Sequence, residues 1–277
     1  MSFPEEGFAM MPTVDKEYSR VWLTKCFDYS KSGFSIAINM SSCAKVSTVM
    51  APSGRPSKQA RIEKVADVSG ILKGVFGPIG WKPRYKASEE LVYTILSQHT
   101  SDINSERAFY SLMDRFKNLD RVADASVESI EETIRHGGLA RSKAPRIKNI
   151  LNQVRAEVGS FDLSFLTEMP LQDAKVWLTK LNGVGPKTAA IILCFSFGLP
   201  VMPVDTHIHR VAKRLRLIGP KITAEAAHDL LEEIVDPNEV FPFHMYLIQH
   251  GRKTCKARFP RCDECQISHL CPSRGKV

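Results

Sequence analysis

The chain has 277 residues, enough for one or two domains with a sizeable core, and 43% of them are apolar, which excludes a largely disordered protein. Its formal net charge of +8 excludes an acidic solvating protein and admits a polyanionic partner without requiring one. No run of 18 apolar residues could cross a membrane, and two early acids, Glu5 and Glu6, replace the basic and then apolar start of a secretory signal, so a soluble, cytoplasmic protein is expected.

Residues 1–60 lack periodicity and are rich in Ser, Met and small residues, and Ala51–Ser57 reads as a linker. This segment is expected to be a poorly ordered extension, with Met50 a candidate true start. Basic and acidic residues balance over positions 1–49, so the whole +8 lies beyond them. From residue 61 the apolar spacing of three and four predicts helix after helix. The first covers Arg61–Phe76 and closes at Gly77-Pro78. Ser88–Leu96 follows, with Ser88 as its cap. Asp102–Phe116, Ser126–His136 and Lys143–Val158 come next. Pro170–Leu181 and Pro186–Phe197 each place a proline at the first helical position. Thr206–Leu217, Thr223–Ile234 and Phe243–Gly251 complete the set. Neither alternating strands nor an internal repeat is apparent, so the class is all-α.

Leu181-Asn-Gly-Val-Gly-Pro-Lys-Thr-Ala-Ala190 joins two helices through a short turn. Gly183 and Gly185 can take positive φ and allow close backbone approach. The turn exposes N–H groups beside a helix N-terminus, a ready site for a DNA phosphate. An ordinary packing corner between helices is the alternative. Lys187 sits in the first turn of the second helix, where the positive end of the dipole disfavours an ammonium. It is either a nucleophilic amine or a plain phosphate contact. In Val204-Asp-Thr-His-Ile-His-Arg-Val211, Asp205 stands where an N-cap belongs. Helices flanking one hairpin could also bring it to the same cleft as Lys187, where a carboxylate would stabilise a cationic sugar.

Cys255, Cys262, Cys265 and Cys271 have the spacing C-x6-C-x2-C-x5-C, and only Cys26, Cys43 and Cys194 lie elsewhere. An odd count with one tight group points to a metal site in a reducing compartment, not a disulfide framework. Four thiolates can close around a cubane cluster or a zinc ion. Residues 250–277 carry seven basic side chains against Asp263 and Glu264, so positive charge gathers beside the cysteines. Such a patch suits a phosphate backbone, or is a solvated tail.

Together these motifs resemble the endonuclease III family of helix–hairpin–helix DNA glycosylases. The resemblance runs from about residue 61 to 275 and rests on Leu181–Ala190, Val204–Val211 and His250-Gly-Arg-Lys-Thr-Cys255 through Cys271, with weaker matches at Leu96–Asp102 and Gly138–Ala144. It implies two helical domains with a DNA groove between them. One is a bundle over 88–199 containing the hairpin. The other joins 61–87 to 200–277 and holds a [4Fe–4S] cluster on Cys255, Cys262, Cys265 and Cys271. It implies that the target base is flipped out, that Lys187 is the Schiff-base nucleophile, and that Asp205 is the essential carboxylate. Gly183, Val184, Gly185 and Thr188 would meet the DNA backbone, as would Lys256, Arg258 and Arg261. His99 falls where many members have a gap-filling Gln, with Gln98 one position earlier, and Leu139 matches a second wedge. The adenine-specific branch lacks the lysine and carries a Glu where Thr94 stands here.

The expected activity is therefore base-excision repair with β-elimination, on damaged pyrimidines in double-stranded DNA or at an abasic site. Two readings stay open beside it: a glycosylase for mismatched or deaminated bases, and a non-catalytic iron–sulfur DNA-binding protein. A monomer is expected.

Overall fold

The computed structural model describes residues 56–276. The expectations for residues 1–55 lie outside the described residues. The described chain contains eleven α-helices and no strand. In order they are α1 (Lys58–Phe76), α2 (Ala87–Ser97), α3 (Asp102–Phe116), α4 (Leu119–Asp124), α5 (Val127–Ile134), α6 (Ala140–Val158), α7 (Leu171–Lys180), α8 (Pro186–Phe197), α9 (Thr206–Arg214), α10 (Ala224–Glu232) and α11 (Val240–Lys253). None is long and apolar enough to cross a membrane.

Short polar side chains start most helices, because each satisfies a backbone N–H that has no partner within the helix. Ser57 accepts from Ala60, Ser126 from Ser129 and Thr223 from Ala226. The Ser57 cap places Lys58–Ala60 in α1, so the extension expected through residue 60 is shorter than that. Other expected starts move as well. Ser88 is not a cap: it lies inside α2, buried, and its hydroxyl donates to the Phe161 carbonyl at 2.7 Å. Pro170 stands outside α7 with extended ψ 137°, so Leu171 is the first helical residue. α6 begins three residues before the expected Lys143, because Leu139 turns the chain in a left-handed conformation, φ 53° and ψ 29°. α9 stops at Arg214 where Arg216, φ 57°, reverses the chain.

Buried side chains form two clusters. The first draws on α2 to α8, with Leu91, Leu96, Phe109, Ile130, Ile147 and Leu178 among its members. The second draws on α1 and on α9 to α11, with Leu72, Ile208, Val211, Leu231, Phe243 and Leu247. Each such side chain removed from water contributes about 1.5–3 kcal/mol. α8 serves both, since Leu193 belongs to the first cluster and Cys194 to the second. Burial pushes the Cys194 thiol up to about 12, so it packs as an apolar residue. α1 is tied to the C-terminal half: Tyr246 donates to the Gly77 carbonyl at 3.1 Å and Lys64 to the Leu215 carbonyl at 3.2 Å.

Candidate active site and nucleic-acid interface

The turn between α7 and α8 is anchored by its apolar residues. Leu181 and Val184 are buried, and the Val184 amide donates to the Leu181 carbonyl at 3.0 Å. Only one of the two glycines uses the left-handed region: Gly183 has φ +87°, whereas Gly185 is at −91°. At Gly185 an added Cβ would meet nothing within 4 Å, so the backbone there is open to an approaching group. Pro186 opens α8 and Lys187 is exposed in its first turn, while the Thr188 side chain is buried. Thr188 therefore offers this surface its backbone amide and not its hydroxyl.

Asp205 is the N-cap of α9, its Oδ1 accepting from the Ile208 amide at 2.8 Å. Behind it lies His244 of α11, 3% exposed, whose Nδ1 donates to the Pro203 carbonyl at 2.9 Å. Its ring meets Phe195 of α8 edge-on, with centroids 5.4 Å apart. Burial pushes the His244 imidazole down to about 4. Asp205 and the Pro203 carbonyl oppose the fall, and Lys187 and Arg84 add to it. One buried ring thus feels the residues from the start of α8, the start of α9 and the segment before α2. Arg84 lies over the rings of Tyr93 and Phe195, at 4.4 and 5.0 Å, and pairs through two nitrogens with the fully buried Glu90. Thr94 completes this group by donating to Glu90 at 3.5 Å.

The two candidate wedge residues share an uncommon backbone. His99 is exposed at φ 55°, and Leu139 is 56% exposed at φ 53°. A single buried lysine braces both turns: Lys143 Nζ donates to the Leu96 carbonyl at 2.6 Å and the Gly137 carbonyl at 3.3 Å. Burial, and then Arg146, pushes its pKa down. Arg146 donates to Gln98 Oε1 at 2.8 Å and lies beside Gly183, so the hairpin and the His99 turn meet on one side chain. Gln98 is thereby held in the scaffold.

The four clustered cysteines are all half-buried and line one pocket with Val211, Leu215 and Ile267. Among the described residues no three His, Cys, Asp or Glu side chains converge as a single ion requires. Four thiols on one short loop are a donor set that either a multi-iron cluster or a zinc ion could take. Two arginines of α9 brace the loop that follows α11. Arg210 donates to the carbonyls of Gly251 and Cys255 at 2.8 and 3.0 Å, and Arg214 to that of Lys256 at 2.7 Å. Lys256, Arg258 and Arg261 are exposed, the last paired with Glu264 at 3.5 Å. Arg252 reaches Asp102 at 2.6 Å, linking the end of α11 to the start of α3 beside the His99 turn.

Sequence reasoning assigned no role to His244, Lys143, Arg146, Arg84 or Glu90. The usable signal was a polar side chain on an otherwise apolar helical stripe, as at His244 between Phe243 and Leu247.

Residues 92–237 match the model of the HhH-GPD superfamily base excision DNA repair proteins. The chain belongs to this superfamily. Endonuclease III of Sulfolobus acidocaldarius is 36% identical over 183 residues, covering 65% of this chain and 79% of that protein. Endonuclease III of Synechocystis is 38% identical over 214 residues, covering 76% and 93%. Two solved structures are a trapped endonuclease III–DNA covalent intermediate, with 26% identity and TM-score 0.65, and a non-covalent endonuclease III–DNA complex, with 27% and 0.66. Each covers 80% of this chain and 98% of its own. The superfamily chain is thus in the endonuclease III family, as its motifs imply.

Proposed function

We propose that this protein is a base-excision repair DNA glycosylase with AP lyase activity, acting on damaged pyrimidines in duplex DNA. The observation that carries the reading is the exposed Lys187 at the start of α8 and Asp205 capping α9, each at its motif position in a chain of the endonuclease III family. The family resemblance supplies the roles. The Lys187 nitrogen bonds to the sugar C1′ and gives up a proton to water as the bond from C1′ to the base breaks and the base leaves with the electron pair. The Asp205 carboxylate stabilises the positive charge that develops on the sugar. Opening of the C1′–O4′ bond leaves an iminium on Lys187. Loss of a C2′ proton then expels the 3′ phosphate, and water releases the cut strand. The turn amides near Gly183 and Gly185 hold a backbone phosphate. Leu139 and His99 fill the space left by the flipped nucleotide.

Cys255, Cys262, Cys265 and Cys271 would hold a [4Fe–4S] cluster, which orders the basic loop Lys256–Arg261 against DNA. The lobes are 88–199, and 61–87 with 200–277; the division of the apolar clusters supports this reading, with Ala87, Cys194 and Val201 crossing the bounds. We place the enzyme in the cytoplasm as a monomer.

The test is borohydride trapping on a duplex with one abasic site. Wild type forms a covalent adduct, and Lys187→Ala binds the duplex but forms none. Trapping retained in Lys187→Ala would assign the chemistry to another amine. Tight binding without any wild-type adduct would leave a glycosylase without lyase activity or a silent DNA-binding relative. A panel of base lesions then separates damaged pyrimidines from mismatched or deaminated bases.

A further inference from the structure

Phe259 is 92% exposed, more than any other large apolar side chain among those described as exposed. Its backbone has φ 53°, a left-handed conformation that disfavours a bulky residue. Five described non-glycine residues have positive φ, and three of them are the exposed Phe259 and the two candidate wedge residues, His99 and Leu139. The other two, Lys117 and Arg216, are charged.

The loop that carries Phe259 is firmly based. Arg261 donates its amide to the Thr254 carbonyl at 3.0 Å, closing residues 254–261 into a hairpin-like bend. Arg214 grips the Lys256 and Ala257 carbonyls at 2.7 and 3.2 Å, and Arg210 the Cys255 carbonyl at 3.0 Å. Arg210 also bonds the Thr206 carbonyl, in the first turn of the helix that Asp205 caps. The Arg252–Asp102 pair joins the same region to the His99 turn. A braced loop therefore presents an aromatic ring to water, with the exposed Lys256, Arg258 and Arg261 in the same loop.

We propose that Phe259 is an apolar anchor for duplex DNA, packing against the deoxyribose faces between the phosphates that its basic neighbours hold. The proposal rests on the reading of the chain as a DNA enzyme. Charge complementarity selects the partner. Three exposed cations in the same short loop as one exposed aromatic match a surface whose phosphates lie at the edges and whose sugars and bases offer apolar area between them. An anchor of this kind adds affinity that does not depend on lesion or salt, because it releases no counterion.

The experiment measures the affinity of the full protein for an abasic-site duplex across a salt series. Wild type is compared with Phe259→Asn, which tolerates the left-handed backbone, and with Arg258→Ala. Phe259→Asn is expected to weaken binding about tenfold at every salt concentration with an unchanged log–log slope. Arg258→Ala is expected to lower the slope by about one. Phe259→Trp should keep wild-type affinity and change its emission on adding duplex, against the background of the native tryptophans. Wild-type affinity in Phe259→Asn together with unaltered emission in Phe259→Trp would overturn the anchor while leaving the DNA reading intact. A wild-type protein that binds no duplex, or binds with no salt dependence, would overturn that reading and the anchor with it.

Discussion

His244 is a buried polar residue packed close to the segment that leads into α9. It is 3% exposed and its ring sits between Phe195 of α8 and the Pro203 carbonyl just ahead of Asp205. Burial, with Lys187 and Arg84 adding to it, outweighs Asp205 and the Pro203 carbonyl and brings its pKa to about 4 from 6.5. The unfolded chain therefore takes up a proton before the folded one does. The stability contributed by the neutral ring is present above about pH 6.5 and is lost as pH falls toward 4. The whole effect is on the order of 3 kcal/mol. Urea denaturation between pH 7 and 5 should show wild type losing stability faster than His244→Gln, which can still donate to the Pro203 carbonyl. The buried His228, also shifted downward, leaves a residual slope in both. Equal slopes would mean that His244 takes up its proton in the fold without cost. Such residues were hard to read from sequence because helical periodicity counts polar side chains as exposed. His244 and Lys143 break that rule by bonding carbonyls at turns distant in sequence. His99 and Leu139 were legible as candidates through motif order, whereas their shared left-handed backbone was not.

At the level of the helix, Asp205 has two separable duties. Its Oδ1 caps α9, and capping by a short polar side chain contributes about 1 kcal/mol. Its charge is what a cationic sugar would need. Asn caps as well as Asp but carries no charge. Asp205→Asn should therefore keep wild-type stability within about 0.5 kcal/mol while base release and strand cutting fall by orders of magnitude. Asp205→Ala should lose both. Chemical denaturation alongside single-turnover cleavage checks this, and full activity in Asp205→Asn would reduce Asp205 to a cap. Of the two caps expected from the sequence, Asp205 is one in the fold. Ser88 misled because a serine before two glutamates imitates a cap, while tertiary packing turns its hydroxyl to Phe161. α4 escaped notice because six residues are too few to show a period, although Asn118 caps it onto Arg121.

The molecule as a whole sets two apolar clusters on either side of α8, and the hairpin that carries Lys187 opens that shared helix. The cysteine pocket adjoins the second cluster, against which Cys255, Cys265 and Cys271 pack partly buried. Most of the second cluster is aliphatic packing among α1, α9, α10 and α11, which does not depend on a bound group. The loop is different. Its bonds to α9 run through Arg210 and Arg214, and Arg214 lies 3.3 Å from Cys255 Sγ while its carbonyl accepts from Ser273 at 2.9 Å. Loss of the cluster should therefore unseat the loop before it unfolds the helices. Cys262→Ala is expected to lose the brown colour and its visible absorption, keep most of its helical circular dichroism, and bind duplex DNA more weakly and with a shallower salt dependence. Those three measurements on one preparation distinguish a cluster that orders the basic loop from one that holds the fold together. In the second case helicity would collapse along with the colour. Colourless wild-type protein with one zinc per chain after anaerobic purification would replace the iron–sulfur assignment, and the same loop argument would then attach to zinc.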